Sequence, residues 1–184
     1  MTASPGTPST DRALVALKDR DAFVRIEGRG SFKVSSALKQ FADDCMQREI
    51  QRMLLDMTAC IGMDSTFMGV LAGVATRMKR ANGGVVILYN LSPRTRGLLA
   101  TLGLDQIIQA FEAGATPTDM IPRDSDNLAP LQPSESQLER AQTMLEAHEK
   151  LCEINPDNLP KFKDVLTYRR EDVQKKSETP PTRS

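Results

Sequence analysis

The residues best suited to chemistry are Asp64-Ser65-Thr66, a polar triplet between two apolar runs in TACIGMDSTFMGVLAGVATRMKRANGGVVILYN, residues 58–90. Two readings follow from their types. Asp and Ser before an apolar periodic run are ordinary helix caps. A loop that leaves a strand and enters a helix also turns backbone N–H groups toward solvent, where an anion is favoured. Ser65 would then hold a hydroxyl at a place where the fold tolerates a phosphate. A serine nucleophile needs a neighbouring base, usually His. The chain has a single His, His148, far along the sequence on a later helix. There it reads as a packed or half-exposed helix residue. A hydrolase would require it to lie beside Ser65. GMDSTFMG lacks the Gly-x-Ser-x-Gly pattern, and no Gly-rich phosphate loop ends in Lys. Cys45, Cys60 and Cys152 form no CxxC pair and suggest neither a disulfide framework nor zinc ligands. The expectation is no catalytic residue, no cofactor and no metal.

The surrounding elements must position the triplet. ALVAL (13–17) and AFVRIEG (22–28) read as short strands joined by a polar turn at 18–21. Gly28-Arg29-Gly30 reads as a loop. Ser35-Ser36 is expected to cap a helix whose apolar positions are Leu38, Phe41, Ala42, Cys45 and Met46. RMLLDM (52–57) reads as a strand running into a loop. A helix from Thr66 to Arg80 places Phe67, Leu71, Val74 and Met78 on one face, the expected core face, with Gly69, Gly73, Thr76 and Arg80 opposite. Gly69 and Gly73 suit close packing against a neighbouring helix, or a flat patch for a partner. Asn82-Gly83-Gly84 stops this helix. VVILY (85–89) is a continuous apolar run, as in a buried parallel strand. Ser92-Pro93 opens a further helix ending at Gly103, and a short helix is expected at 106–111.

The organisation is therefore a disordered N-terminus (1–11), one α/β domain with crossover helices (12–113), a Pro-rich linker or extended edge segment (114–133), a helical extension (134–173) and a disordered tail (174–184). Ser134 and Gln137 suggest a capping box for the extension. Its first helix carries Leu138, Ala141, Leu145, His148 and Cys152 on one stripe. A second, short helix is expected around Phe162, Val165 and Leu166. The extension either folds back on the domain or mediates association.

Composition narrows the functions. Lys+Arg and Asp+Glu each number 24, so no basic excess drives nucleic-acid binding. No apolar run approaches the roughly 20 residues of a membrane helix. The polar N-terminus lacks the build of a signal peptide. A reducing cytoplasm is the expected setting. The core must be aliphatic and Met-rich, with nine Met, two Tyr and no Trp.

LLDMTACIGMDSTFMGVL (54–71) resembles the signature of STAS domains of the anti-sigma-factor antagonist type. In that family a strand ending in Asp leads through a short loop to Asp-Ser-Ser/Thr and a helix. SSALKQFADDCM fits the family's first helix. GGVVILYNLSPRTRGLLATLGLDQII fits the next strand, the Ser-Pro helix and the turn after it. The resemblance covers about residues 12–112. It implies a STAS-like mixed sheet with crossover helices, and a protein that is not an enzyme. It further implies binding to an anti-sigma factor of the histidine-kinase-like ATPase type, switched off by phosphorylation at Ser65 and restored by a serine phosphatase. Asp64, Ser65, Thr66, Met68, Gly69 and Arg94 are the partner-binding residues so implied, and Asp56 matches the family's strand-end Asp. Phe67 stands where the family often has Gly. A phosphorylation-independent interaction module is the alternative.

Overall fold

The computed structural model describes residues 10–121, 127–132 and 136–179. Among them the chain forms β1 (Arg12–Lys18), β2 (Asp21–Gly30), α1 (Phe32–Gln47), β3 (Arg52–Asp56), β4 (Cys60–Met63), α2 (Ser65–Asn82), β5 (Val85–Leu91), α3 (Pro93–Thr101), β6 (Gln109–Glu112), β7 (Ala129–Pro130), α4 (Gln137–Ile154) and α5 (Leu159–Glu178). The strands make a mixed sheet in the order β6-β5-β3-β2-β1-β7, and β4 pairs with the end of β2. Strands β2, β3, β5 and β6 run parallel, whereas β1 is antiparallel to both β2 and β7. The expected α/β class, mixed sheet, crossover helices and C-terminal helices are all present.

Successive strand residues face opposite sides of a sheet, and here both sides are buried. Val24, Ile26, Met53, Leu55, Val86 and Leu88 pack with Leu38, Ala42 and Cys45 of α1 and with α2. Phe23, Leu54 and Tyr89 face the other way and form a second cluster beneath Leu128. Burial on both faces explains why β3 and β5 read as unbroken apolar runs. Phe67, Leu71, Val74 and Met78 are each 0% exposed, so the expected core face of α2 is the core face. Phe67 is accommodated because Gly30 has no side chain. A Cβ at Gly30 would lie 2.6 Å from the Phe67 ring.

Several local expectations are corrected. β2 continues through Gly30, because Arg29 and Gly30 pair with Gly62 and Met63 of β4. β4 itself lies where a loop was expected. Ser31, not Ser35 or Ser36, caps α1, accepting from the Lys33 N–H. Ser35 and Ser36 are buried inside the helix. The short helix expected at 106–111 is a turn at Leu104–Gln106 followed by the half-exposed edge strand β6. Within the segment expected as a linker or extended edge, Ala129–Pro130 takes the edge alternative and adds β7 beside β1, where Pro removes no needed donor. Ser134 lies outside the described residues, and Gln137 is the first residue of α4. The capping box there is Ser136 with Glu139. α5 is a 20-residue helix that runs to Glu178, past the expected start of the tail at 174. The expected N-terminal segment lies outside the described residues up to position 9. Asp11 is ordered by contacts to Arg29 N–H and the Ser31 hydroxyl.

The fit of Phe67 over Gly30 gives a first prediction. Phe67→Ala should lower the unfolding free energy by about 3–5 kcal/mol, read as a fall in the urea midpoint with an unchanged slope.

Candidate functional site

Asp64 sits between β4 and α2 in extended conformation, with φ −94° and ψ 170°. Its carboxylate accepts from two backbone amides. One is Phe67 N–H in the first turn of α2, at 2.8 Å; the other is Phe32 N–H at the start of α1, also at 2.8 Å. Its own N–H donates to the Gly30 carbonyl at 2.9 Å. One side chain thus satisfies orphan donors of two helices. The cap is Asp64 alone, and Ser65 is the first helical residue with its side chain left for other uses.

Ser65 uses that side chain on the extension. Its Oγ lies 2.9 Å from Nε2 of His148, and Nδ1 of His148 lies 2.7 Å from the Met144 carbonyl. A carbonyl only accepts, so Nδ1 carries the proton in the neutral ring. Nε2 is then the acceptor, and the Ser65 hydroxyl donates to it. His148 is 4% exposed and meets the edge of Phe162 with ring centroids 5.1 Å apart. Burial pushes its pKa below the ordinary value; the Met144 hydrogen bond opposes this, Arg169 adds to it, and Asp64 opposes it. The proximity that a serine hydrolase would require is therefore met. The third position of such a set is a peptide carbonyl, however, and neither Ser65 nor His148 lines the cavity between α1, α2 and α4.

The remaining implied residues are spread differently. Thr66 and Met68 are buried. Gly69 lies directly beneath α4, where an added Cβ would come within 2.2 Å of the Ala147 carbonyl oxygen. The neighbouring-helix reading of Gly69 therefore holds, and α4 is the helix. Gly73 has open space around it. Arg94 is exposed at the start of α3, whose cap is Ser92 with Pro93 following, as expected. Arg96 is not a free surface charge: it donates to the Ala110 carbonyl of β6. Asp56 accepts from the Thr58 hydroxyl (2.6 Å), the Thr58 N–H (3.0 Å), Asn90 (3.2 Å) and Arg25 (3.3 Å). Burial works against its ionisation, but these donors outweigh burial and hold the carboxyl below its usual range. Among the described residues no three His, Cys, Asp or Glu side chains gather as a metal site, and no helix is long and apolar enough to cross a membrane. Burial pushes the Cys45 thiol up to about 12, which makes it inert.

The fold and the strand-end, Asp-Ser-Thr and helix order define a recognisable class. The STAS domain family model matches residues 13–116, and the chain belongs to that family. Solved structures that resemble it include an anti-sigma factor antagonist from Mycobacterium paratuberculosis. That likeness has 21% identity over 62% of this chain and 93% of that one, with a TM-score of 0.50. The anti-sigma factor antagonist SpoIIAA in its unphosphorylated form aligns at 18% identity over 58% of this chain and 90% of that one, with a TM-score of 0.46. The phosphorylated Bacillus form aligns at 20% identity over 58% and 94%, also at 0.46. Comparison with curated proteins finds no match. The helices α4 and α5 lie beyond the matched residues.

Two predictions follow from this geometry. Asp64→Ala frees two helix-start amides at once and should cost about 2–3 kcal/mol, against about 1 kcal/mol for an ordinary cap, measured by urea unfolding. The second concerns His148, the chain's single His. Its pKa is lowered in the folded state, so the unfolded chain binds a proton while the folded chain still excludes it. Stability from this group is full above about pH 6.5 and falls as pH drops toward the folded-state value, levelling off below it. Melting temperature should therefore fall between about pH 8 and about pH 5.5 in the wild type. His148→Gln should flatten that dependence.

Proposed function

We propose that this chain is an anti-sigma-factor antagonist whose switch is Ser65. In this reading it binds an anti-sigma factor of the histidine-kinase-like ATPase type in the cytoplasm. Phosphorylation of Ser65 by that kinase ends binding, and a serine phosphatase restores it. One observation carries the reading: Asp64 alone caps α2, so the half-buried Ser65 hydroxyl is not needed to start the helix. A phosphate there adds ~−1.5 to −2 charges near neutral pH. At a helix N-terminus a negative charge gains ~0.3–1 kcal/mol, part of which Asp64 offsets. The domain should stay folded. An interface that buries the same charge without a partner loses several kcal/mol, and each ~1.4 kcal/mol is tenfold in affinity. The contact surface comprises Asp64, Ser65 and Arg94, with the buried Thr66, Met68 and Gly69 reached only when the elements packed over them move.

The cover that α4 places over Gly69 also favours a second reading, a phosphorylation-independent interaction module that works through its extension. Capture from the native lysate separates the two. With wild type, Ser65→Ala and Ser65→Asp as baits, a kinase-like protein should be held by the first two and lost at least about tenfold with Ser65→Asp. Equal capture by all three would sink the switch and leave the module.

A further inference from the structure

We propose that the α4–α5 hairpin is a self-docked lid over the flank of α2, latched at Ser65 by His148, and that a phosphate on Ser65 opens it. The inference rests on the reading of Ser65 as the modified residue.

The hairpin belongs to this chain's own sequence beyond the family match, yet it occupies the helix that the phosphorylated serine begins. Ala141, Thr143, Ala147, His148 and Leu151 of α4 are buried. The backbone of Ala147 sits where any side chain on residue 69 would collide. Ala147 and Leu151 join the domain's main hydrophobic core, with Ile154 and Phe162 packed against it, while the outer part of the seam is polar. The groove between α1, α2 and α4 is lined by Lys39, Asp43, Arg77, Glu146, Glu149 and Lys150. Lys39 pairs with Glu146 across it. α5 buries Leu166 and leaves Leu159 and Tyr168 exposed. Surface pairs of this kind contribute little, so the hairpin is held by the apolar contacts of Ala147, Leu151 and Phe162 and by the close contacts at Gly69 and Ser65. The turn between α4 and α5 is pinned separately. Asn158 donates to the carbonyls of Leu102 (3.0 Å) and Leu151 (2.8 Å), and Lys161 donates to the Thr101 carbonyl. That turn can act as the pivot.

The latch depends on a donor that phosphorylation removes. The Ser65 oxygen bonds to the terminal phosphorus of the kinase's nucleoside triphosphate as the bond to the departing nucleoside diphosphate breaks, and the hydroxyl proton passes through a base of the kinase to solvent. The ester oxygen can no longer donate to Nε2. The phosphoryl group must occupy the space that the 2.9 Å contact closes, and its oxygens face the lone pair of a neutral imidazole. A protonated His148 could pair with the phosphate, and the added negative charge favours that form as Asp64 does. Burial against Phe162 opposes it, however, and the 2.9 Å contact leaves no space for the phosphoryl group while α4 stays docked. Opening relieves both conflicts. The closed lid also reduces a partner's apparent affinity by the fraction of chains that are closed. Coupling between lid and partner is reciprocal. A partner that prises α4 away exposes Ser65, and the phosphate then prevents reclosure.

Hydrogen exchange on the full chain, with phosphoserine installed at position 65 during translation, tests this without any kinase. Amides in 141–151 of α4 and 68–76 of α2 should exchange about tenfold faster or more than with Ser65, while β3 and β5 stay protected. Unchanged or slower exchange in α4 would overturn the lid. Gly69→Ala provides an independent arm that leaves Ser65 and the sheet intact. Its methyl group meets the Ala147 carbonyl, so the same segments should exchange faster, and their failure to do so also counts against the proposal. The mass of the Ser65 peptide from native cells is read alongside. If it carries no phosphate there, the proposed switch falls while the exchange results still decide the lid.

Discussion

The structure depends on one carboxylate. Asp64 accepts from amides at the starts of both α1 and α2, and its own amide is tied to the end of β2. Two helices and a strand are thereby registered at a single point. A side chain with one acceptor could satisfy either helix but not both. Because Asp64 performs this task, the residue after it is released from the fold's requirements. A serine at the head of a helix normally serves the helix; here it serves contacts beyond it.

Phe67 shows how the domain absorbs its departure from the family pattern. The ring enters the core and takes the space left by Gly30 at the end of the neighbouring strand. The aromatic residue is thus matched by a glycine 37 positions earlier, and neither is interpretable alone. The same logic applies to Gly69 and Ala147. Each close approach is made possible by a missing side chain on one partner, facing the ring of Phe67 in one case and the backbone of Ala147 in the other.

Local chemistry was readable in advance where it is complete within a few residues. Ser92-Pro93 caps α3, Phe67 to Met78 face the core, and the both-sided burial of β5 follows from its unbroken apolar run. Four-residue strands were not readable. β4 and β6 are too short to show alternation, and β4 exists because the end of β2 offers it an edge. Three serines lie near the start of α1, and composition alone does not distinguish the cap Ser31 from the more conspicuous Ser35-Ser36 pair, which is buried inside the helix. The contact of Ser65 with His148 spans 83 positions, and no periodicity reports on such a separation. The signals that bear on it are the small residue at Gly69 and a single His on the apolar stripe of the extension. They suggested a neighbouring helix without identifying it.

The position of α4 along the chain has a consequence for synthesis. The sheet from β1 through β6 is complete once residue 112 has emerged, while α4 ends at Ile154. At roughly 5–20 residues per second, the interval between the two is on the order of several seconds. During that time the nascent domain presents Gly69 and the Ser65 hydroxyl uncovered. Each newly made molecule therefore begins with its α2 flank open, whatever its later equilibrium, and the ribosome itself sets the length of that first exposure.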